Sequence, residues 1–265
     1  GGGRISGSSS LSVESGSHVS WNMARSGGGL YLTSSRVIIS QVTFASNEAR
    51  EGGGGIFVEG KLLEPLELRD STMYNCTAWQ GGGGGIAVAE DSVTLTSSAV
   101  VNNTAAGNGG GLYGRSFNLV AGSLVGHNQA LTGGGIASTG RLLVANDSAV
   151  TGNVATQDAG GVYMSGGGFL EVHAGGRVGE NAAQEGGGIL CTGSETTVNI
   201  EGGTVDGNRA EYVGGGVKAI HGCKLALTSA VVVSGNSALR GGGISADEAG
   251  ALEIYGLSSL LDNVA

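Results

Sequence analysis

The sequence predicts an all-β fold, a right-handed parallel β-helix of about ten coils with about 27 residues in each, and three observations carry that prediction. An Asn-x-Ala tripeptide recurs along the chain, a glycine cluster follows it, and an apolar residue stands three places before each asparagine. Glycine supplies 55 of the 265 residues, with one proline. Collagen would need glycine at every third position and abundant proline, and neither is present. The glycines instead cluster at long regular spacing, and 40% hydrophobic residues suffice for a core, so a repeat architecture is indicated.

The ladder positions are Asn22, Asn47, Asn103, Asn128, Asn153, Asn181, Asn208, Asn236 and Asn263, with Cys76 taking the asparagine place between Asn47 and Asn103. Asn22 and Asn263 are 241 residues apart over nine intervals, which gives the repeat length. The apolar residue three places earlier is Val19, Phe44, Met73, Val100, Val125, Val150, Val178, Val205, Val233 or Leu260. After each glycine cluster apolar residues alternate, as in Leu30/Leu32, Ile56/Val58 and Val162/Met164, and a second alternating pair follows, as in Leu66/Leu68 and Val198/Ile200. Period-two alternation marks strands, so each coil carries three short ones.

Competing repeats fail on spacing. No coil holds a segment with apolar residues at i, i+3, i+4 and i+7, and glycine joints would break a helix. A propeller blade needs about 40 residues or more. Stacked coils place like strands about 4.8 Å apart, parallel crossovers are right-handed in nearly all folds, and the six-residue unit of left-handed helices is missing. Glycine provides positive φ and close backbone approach at the bends. Asparagine is read as the next αL residue, whose amide bonds the asparagine one coil away and satisfies buried turn groups. Cys76 should cost its coil a link of about 1 kcal/mol.

The glycine cluster ending in Ile, Leu or Val, paired with the hydrophobic-x-x-Asn motif, resembles the GGA[ILV] and FxxN repeats of polymorphic outer-membrane proteins and related cell-surface β-helices, within the wider pectin-lyase-like superfamily. The resemblance covers the whole chain. It departs in that the third small residue is usually glycine and phenylalanine stands in the motif only at Phe44. It implies secretion, surface display and adhesion, with an outer-membrane barrel that this sequence does not contain. The chain opens on the glycine joint Gly1–Gly2–Gly3 and stops at Ala265 without atypical capping repeats, so residues 1–265 are expected to be one domain with uncapped ends, cut from a longer array.

Charge narrows the partners. Thirteen Lys plus Arg against 22 Asp plus Glu leave a formal charge of −9 with scattered acids, which disfavours nucleic acid and anionic membranes. No apolar run is long enough for a membrane helix. No cofactor motif or metal-ligand spacing is present, and GxGxxG-like strings carry no information in so glycine-rich a chain. His127 and His221 read as turn residues. The acid pairs Glu90–Asp91 and Asp247–Glu248 would hold Ca²⁺ only with a calcium repeat that is absent, and read as solvated turns. A Thr-x-Thr rank of the ice-binding kind is approached only at Thr94/Thr96. Chain-wide, no acid/base or metal constellation is found, so no catalytic residue is assigned.

The outward position of the first strand carries Tyr31, Phe57, Tyr113 and Tyr163 on one face. These are the candidate ligand or partner residues, for stacked rings bind sugars or protein surfaces; the blander reading is aromatic preference for strands. Cys191 and Cys76 read as buried small hydrophobes and Cys223 as a turn residue. Three cysteines cannot all pair within one chain, so stability is assigned to packing; a Cys191–Cys223 bridge stays as the lesser alternative, since it would need Cys191 to face outward. Asn75, Asn102 and Asn146 begin Asn-x-Ser/Thr sequons. The expectation is a non-catalytic extracellular or cell-surface rod, secreted, that contacts neighbouring repeats and presents a flat sheet face to another surface protein or a glycan. Its alternatives are a carbohydrate-active module and a self-assembling filament segment.

Overall fold

The computed structural model describes residues 2–6 and 10–265; Gly1 of the opening glycine run lies outside them. Strand pairings between successive coils are parallel among the described residues, with register shifts at Ala24/Ser26, Val88/Ser92 and Ala183/Glu185, and the chain winds about nine turns as a β-solenoid without helix among those residues. Three sheets run the length of the rod. The first holds both the strand after the glycine cluster and the second alternating strand, which merge into continuous strands at Ile86–Thr96 and Leu112–Val120. A second, ten-stranded sheet is built on the hydrophobic-x-x-Asn motif, from His18–Ser20 to Ser259–Leu261. The third sheet is formed by the Asn-x-Ala segment itself, as at Thr77–Ala78 and Arg209–Val213. Its alternation is hidden in the sequence because the inward residues are only Asn and Ala.

The asparagine ladder runs through the core as a chain of shared amides. In each link the backbone N–H and the Nδ2 of one asparagine both donate to Oδ1 of the next, at 2.9 and 3.0 Å between Asn103 and Asn128. The second Nδ2 proton goes to a main-chain carbonyl of the preceding coil, as from Asn128 to Val100 at 2.9 Å. Such bonds satisfy groups that water cannot reach, since Asn47, Asn103, Asn128, Asn153, Asn208 and Asn236 are fully buried. At the substituted rung the thiol of Cys76 offers Asn47 only a weak sulfur contact at 3.9 Å, whereas its own N–H still donates to Asn103 Oδ1 at 2.9 Å. Burial pushes the Cys76 thiol up to about 11.

The positive-φ residue of this bend is not the ladder asparagine but the one before it: Trp21, Ser46, Asn75, Asn102, His127, Gly152, Glu180, Gly207, Gly235 and Asp262. The αL bend must lie outside the core so that the following asparagine can turn its amide inward, and side chains of many kinds fit there because they point to solvent. A second buried ladder, unforeseen from the sequence, closes the bend between the first and second sheets. The N–H of Ser71 donates to Ser98 Oγ, that of Ser98 to Ser123 Oγ, and that of Ser123 to Ser148 Oγ, at 3.0 to 3.2 Å.

The glycine joints stack on one another. A Cβ at Gly54 would lie 2.3 Å from the Gly84 carbonyl oxygen and 2.6 Å from the Thr77 nitrogen, so only hydrogen fits. One joint departs from glycine at its αL place, where Ala159 holds φ 56° while fully buried. Elsewhere the core is aliphatic, with Phe44 and Phe117 its largest fully buried side chains. In the last coil Leu252, Ile254 and Leu260 are 44–46% exposed, because no further coil of the described residues covers them.

The assignment of stability to packing alone is corrected by a disulfide between Cys191 and Cys223, with Cα atoms 6.0 Å apart. Cys191 faces inward as expected. Cys223, although in a turn, also faces inward, and both are fully buried. The bridge therefore ties adjacent coils from inside, which needs no outward cysteine.

Two outcomes are expected. Cys76→Asn should complete the ladder and raise unfolding free energy by about 1 kcal/mol, whereas Asn153→Ala, which orphans buried donors on Asn128, should lower it by about 3 kcal/mol; urea titration reads both. Reducing the Cys191–Cys223 bridge in the unfolded chain should destabilise the refolded protein by about 3 kcal/mol through loop entropy, measured as a lower denaturation midpoint against the oxidised sample.

Candidate ligand-binding groove

The outward rank of the first sheet runs in register through Arg4, Tyr31, Phe57, Ala87, Tyr113, Ala137, Tyr163, Leu190, Lys218 and Ser245. The four aromatics thus share one line as expected. The face is not flat, however. Ala87, Ala137 and Leu190 are only 2–3% exposed, because the start of each glycine joint overhangs the rank: the Cβ place of Gly82 falls 2.6 Å from the Tyr113 ring, and that of Gly186 falls 2.7 Å from Leu190 Cβ. A solenoid whose third sheet meets the first at a glycine joint closes that corner into a groove.

At the N-terminal end the groove widens into an open cavity of about 550 Å³ bordered by Arg4, Arg25, Tyr31, Glu51, Phe57 and Glu59. Tyr31 and Phe57 stack with ring centroids 5.5 Å apart and planes 19° from parallel. The Arg4 guanidinium lies over the Tyr31 ring at 5.6 Å, a cation–π contact. The Tyr31 hydroxyl donates to the Glu59 carboxylate, and this bond is the main cause that raises the phenol above its ordinary value. Arg25 pairs with Glu51 at 2.6 Å, which holds that carboxyl below its usual range. Tyr113 is 40% exposed, and Tyr163 is half-buried, with its phenol pushed up chiefly by that burial.

Further along, three residues from different coils meet beside Tyr163. Asp158 and Glu185 occupy like positions on successive coils, just before the joint, and Lys218 pairs with Glu185 from the strand beyond. Burial raises the Asp158 carboxyl first, the Glu185 charge adds to it, and Lys218 opposes both. Sequence reading passed over this cluster because its members are 27 and 33 residues apart. Aligning the residues that precede each glycine joint would have brought the two acids together.

The remaining sequence candidates scatter. Asp91 is a clamp, not a solvated acid: its two carboxylate oxygens accept the N–H groups of Leu62 and Ser92 at 2.8 Å and pin the loop of the coil below. Among the described residues no three His, Cys, Asp or Glu side chains gather as a metal site. His127 sits at an αL bend, and the ring of His221, also αL, meets the Thr192 hydroxyl at 3.1 Å. Asn75, Asn102 and Asn146 are all exposed at αL bends. Ser148 of the third sequon is fully buried, and its hydroxyl accepts the Ser123 N–H within the serine ladder.

Sheets of this kind, wound in one direction with a ladder inside and a groove along one corner, define a repeat scaffold of the parallel β-helix class. A family profile described as a right-handed beta helix region matches residues 4–175, and the chain belongs to that family. The match takes in all four groove aromatics and both cavity-lining arginines. No curated protein and no solved structure matched the chain.

Because the Asp158 carboxyl is raised in the folded state, the protonated form favours folding. That stabilisation is present below the ordinary carboxylate value and is lost as pH rises through the raised one. Asp158→Asn should therefore unfold at higher temperature than the wild type at pH 7, with the advantage shrinking to nothing near about pH 3, where the wild-type acid is itself neutral. Thermal unfolding followed by circular dichroism across that range checks the sign.

Proposed function

We propose that this chain is a non-catalytic, extracellular scaffold that presents the aromatic groove of its first sheet to a glycan. The observation that carries the reading is the line of Tyr31, Phe57 and Tyr113, partly exposed and set beside charged walls in an open groove. Aromatic rings offer apolar faces to the C–H faces of sugars, and hydrogen-bonding groups at the margins fix orientation. The buried disulfide supports an oxidising compartment, since such bonds persist outside the cytosol. The exposed acceptors Asn75 and Asn102 fit the same setting.

A second reading, a carbohydrate-active module, draws on the Asp158–Glu185 pair, for two carboxyl groups on one face, one of them raised by burial, are the parts from which glycosidases build a general acid. Release of new reducing ends from a polysaccharide, lost in Asp158→Asn, would favour it over the scaffold.

The scaffold reading predicts saturable binding on a glycan array by the wild type and its loss when Tyr31, Phe57, Tyr113 and Tyr163 are together changed to Ala. Absence of binding by the wild type would overturn it.

A further inference from the structure

The third sheet carries an aromatic residue that the groove does not use. Trp79 directly follows the strand Thr77–Ala78, faces outward, and is 59% exposed. Water around so much indole is unfavourable unless another group covers it. The ring is also held in place, because its Nε1–H donates to the Glu48 carboxylate of the coil before at 3.1 Å. Its neighbours in the outward rank are Arg50 on that coil and Ala106 on the next. An alanine is too short to cover an indole, so the side toward the following coil stays open.

A group able to cover it is encoded on the same strand. Asn75, Cys76 and Thr77 form a sequon, and Asn75 is exposed at its αL bend with φ 54°. From there burial alternates: Cys76 and Ala78 are buried, whereas Thr77 is half-buried and Trp79 exposed. Thr77 and Trp79 therefore share the solvent side with the asparagine. Four residues of extended chain span about 13 Å, a distance that an asparagine side chain and the inner sugars of a glycan bridge. The sequon at Asn102 has Ala106 at the matching place. That at Asn146 lies on another corner, between the first sheet at Arg141–Val144 and the second at Ala149–Thr151. Of the three, Asn75 alone is followed on its own strand by an aromatic residue.

We propose that Asn75 carries an N-linked glycan whose inner N-acetylhexosamine residues lie along the third sheet and stack on Trp79. This rests on the extracellular setting proposed above and is independent of the groove. In the attachment step Nδ2 of Asn75 attacks the anomeric carbon of an oligosaccharide carried on a lipid diphosphate. A C–N bond replaces the C–O bond, the lipid diphosphate leaves with the bonding pair, and the amide proton passes to a base of the transferase. The attached sugar offers an apolar C–H face to the indole. Because Glu48 already fixes the ring, little freedom remains to be lost when the sugar settles on it. Thr77 and Thr104, paired side by side on the outward face, flank the path and can bond sugar hydroxyls.

Secretion of the full chain from a eukaryotic host behind a cleavable leader, followed by hydroxyl-radical footprinting read by peptide mass spectrometry, tests the assignment. The Asn75 peptide should carry a glycan. Oxidation of Trp79 should be roughly threefold slower than in the glycan-free protein, since a sugar face covers most of the open side of a ring. Trp21, two coils earlier and 82% exposed, should oxidise equally in both and serves as the internal standard. Asn75→Gln should abolish the protection, and Asn102→Gln should keep it. Enzymatic release of the glycan from folded wild-type protein gives the same comparison without a substitution, so the test holds if Asn75→Gln folds poorly by circular dichroism. An unoccupied Asn75, or equal oxidation of Trp79 with and without the glycan, would overturn the inference. An intact Cys191–Cys223 bridge in that same sample would leave the extracellular reading standing, whereas free thiols at both cysteines would overturn the two together.

Discussion

Everything in this rod depends on the way one amide is shared between coils. Away from the Cys76 rung, an inner ladder asparagine such as Asn128 accepts two N–H bonds from the coil before it and donates to the coil after it and to a carbonyl behind. A buried bend would otherwise strand several polar groups, each costing on the order of 1–3 kcal/mol. The ladder removes that cost at every coil and also fixes register, since a slip by one residue would point the amide to solvent. The serine ladder does the same work at another bend, with shorter side chains and one acceptor each.

The positive-φ positions follow from these ladders. A side chain that must turn inward needs its bend completed one residue earlier, which places Trp21, Asn75, His127 or Glu180 at αL without common chemistry among them. Glycine joints differ because backbone meets backbone there, as at Gly54, and no side chain is tolerated. The same thin joints bring the third sheet close to the first and make the corner concave. The groove is thus a by-product of how the coil closes, and its contents are set by the single outward residue that each coil contributes.

This explains what could be read from the sequence. The repeat length, parallel winding, ladder and four aligned aromatics were legible because each rests on a position that recurs in nearly every coil. The strand at Thr77–Ala78 was not, because Asn and Ala give no hydrophobic alternation. The Cys191–Cys223 bridge was ranked below packing because turn placement was equated with outward direction, whereas a bend in a solenoid has an inner side. The flat face expected at Tyr31 through Tyr163 became a groove because curvature arises from joints, not from strands. Asp158, Glu185 and Lys218 were invisible to local motif search, being neighbours only through stacking.

The faulty rung at Cys76 and the internal bridge at Cys191–Cys223 lie toward opposite ends of the rod. In a stack where each coil touches only its neighbours, cohesion is a local quantity, so the object has a mechanical polarity that its repetitive outline conceals. Among the interior coils, the thiol rung would yield under tension more readily than a rung of paired amides. The 32-residue span between the bridged cysteines would stay locked and subtract its contour from the total extension. The weak rung and the locked coil together make cohesion uneven along an outline that repeats evenly.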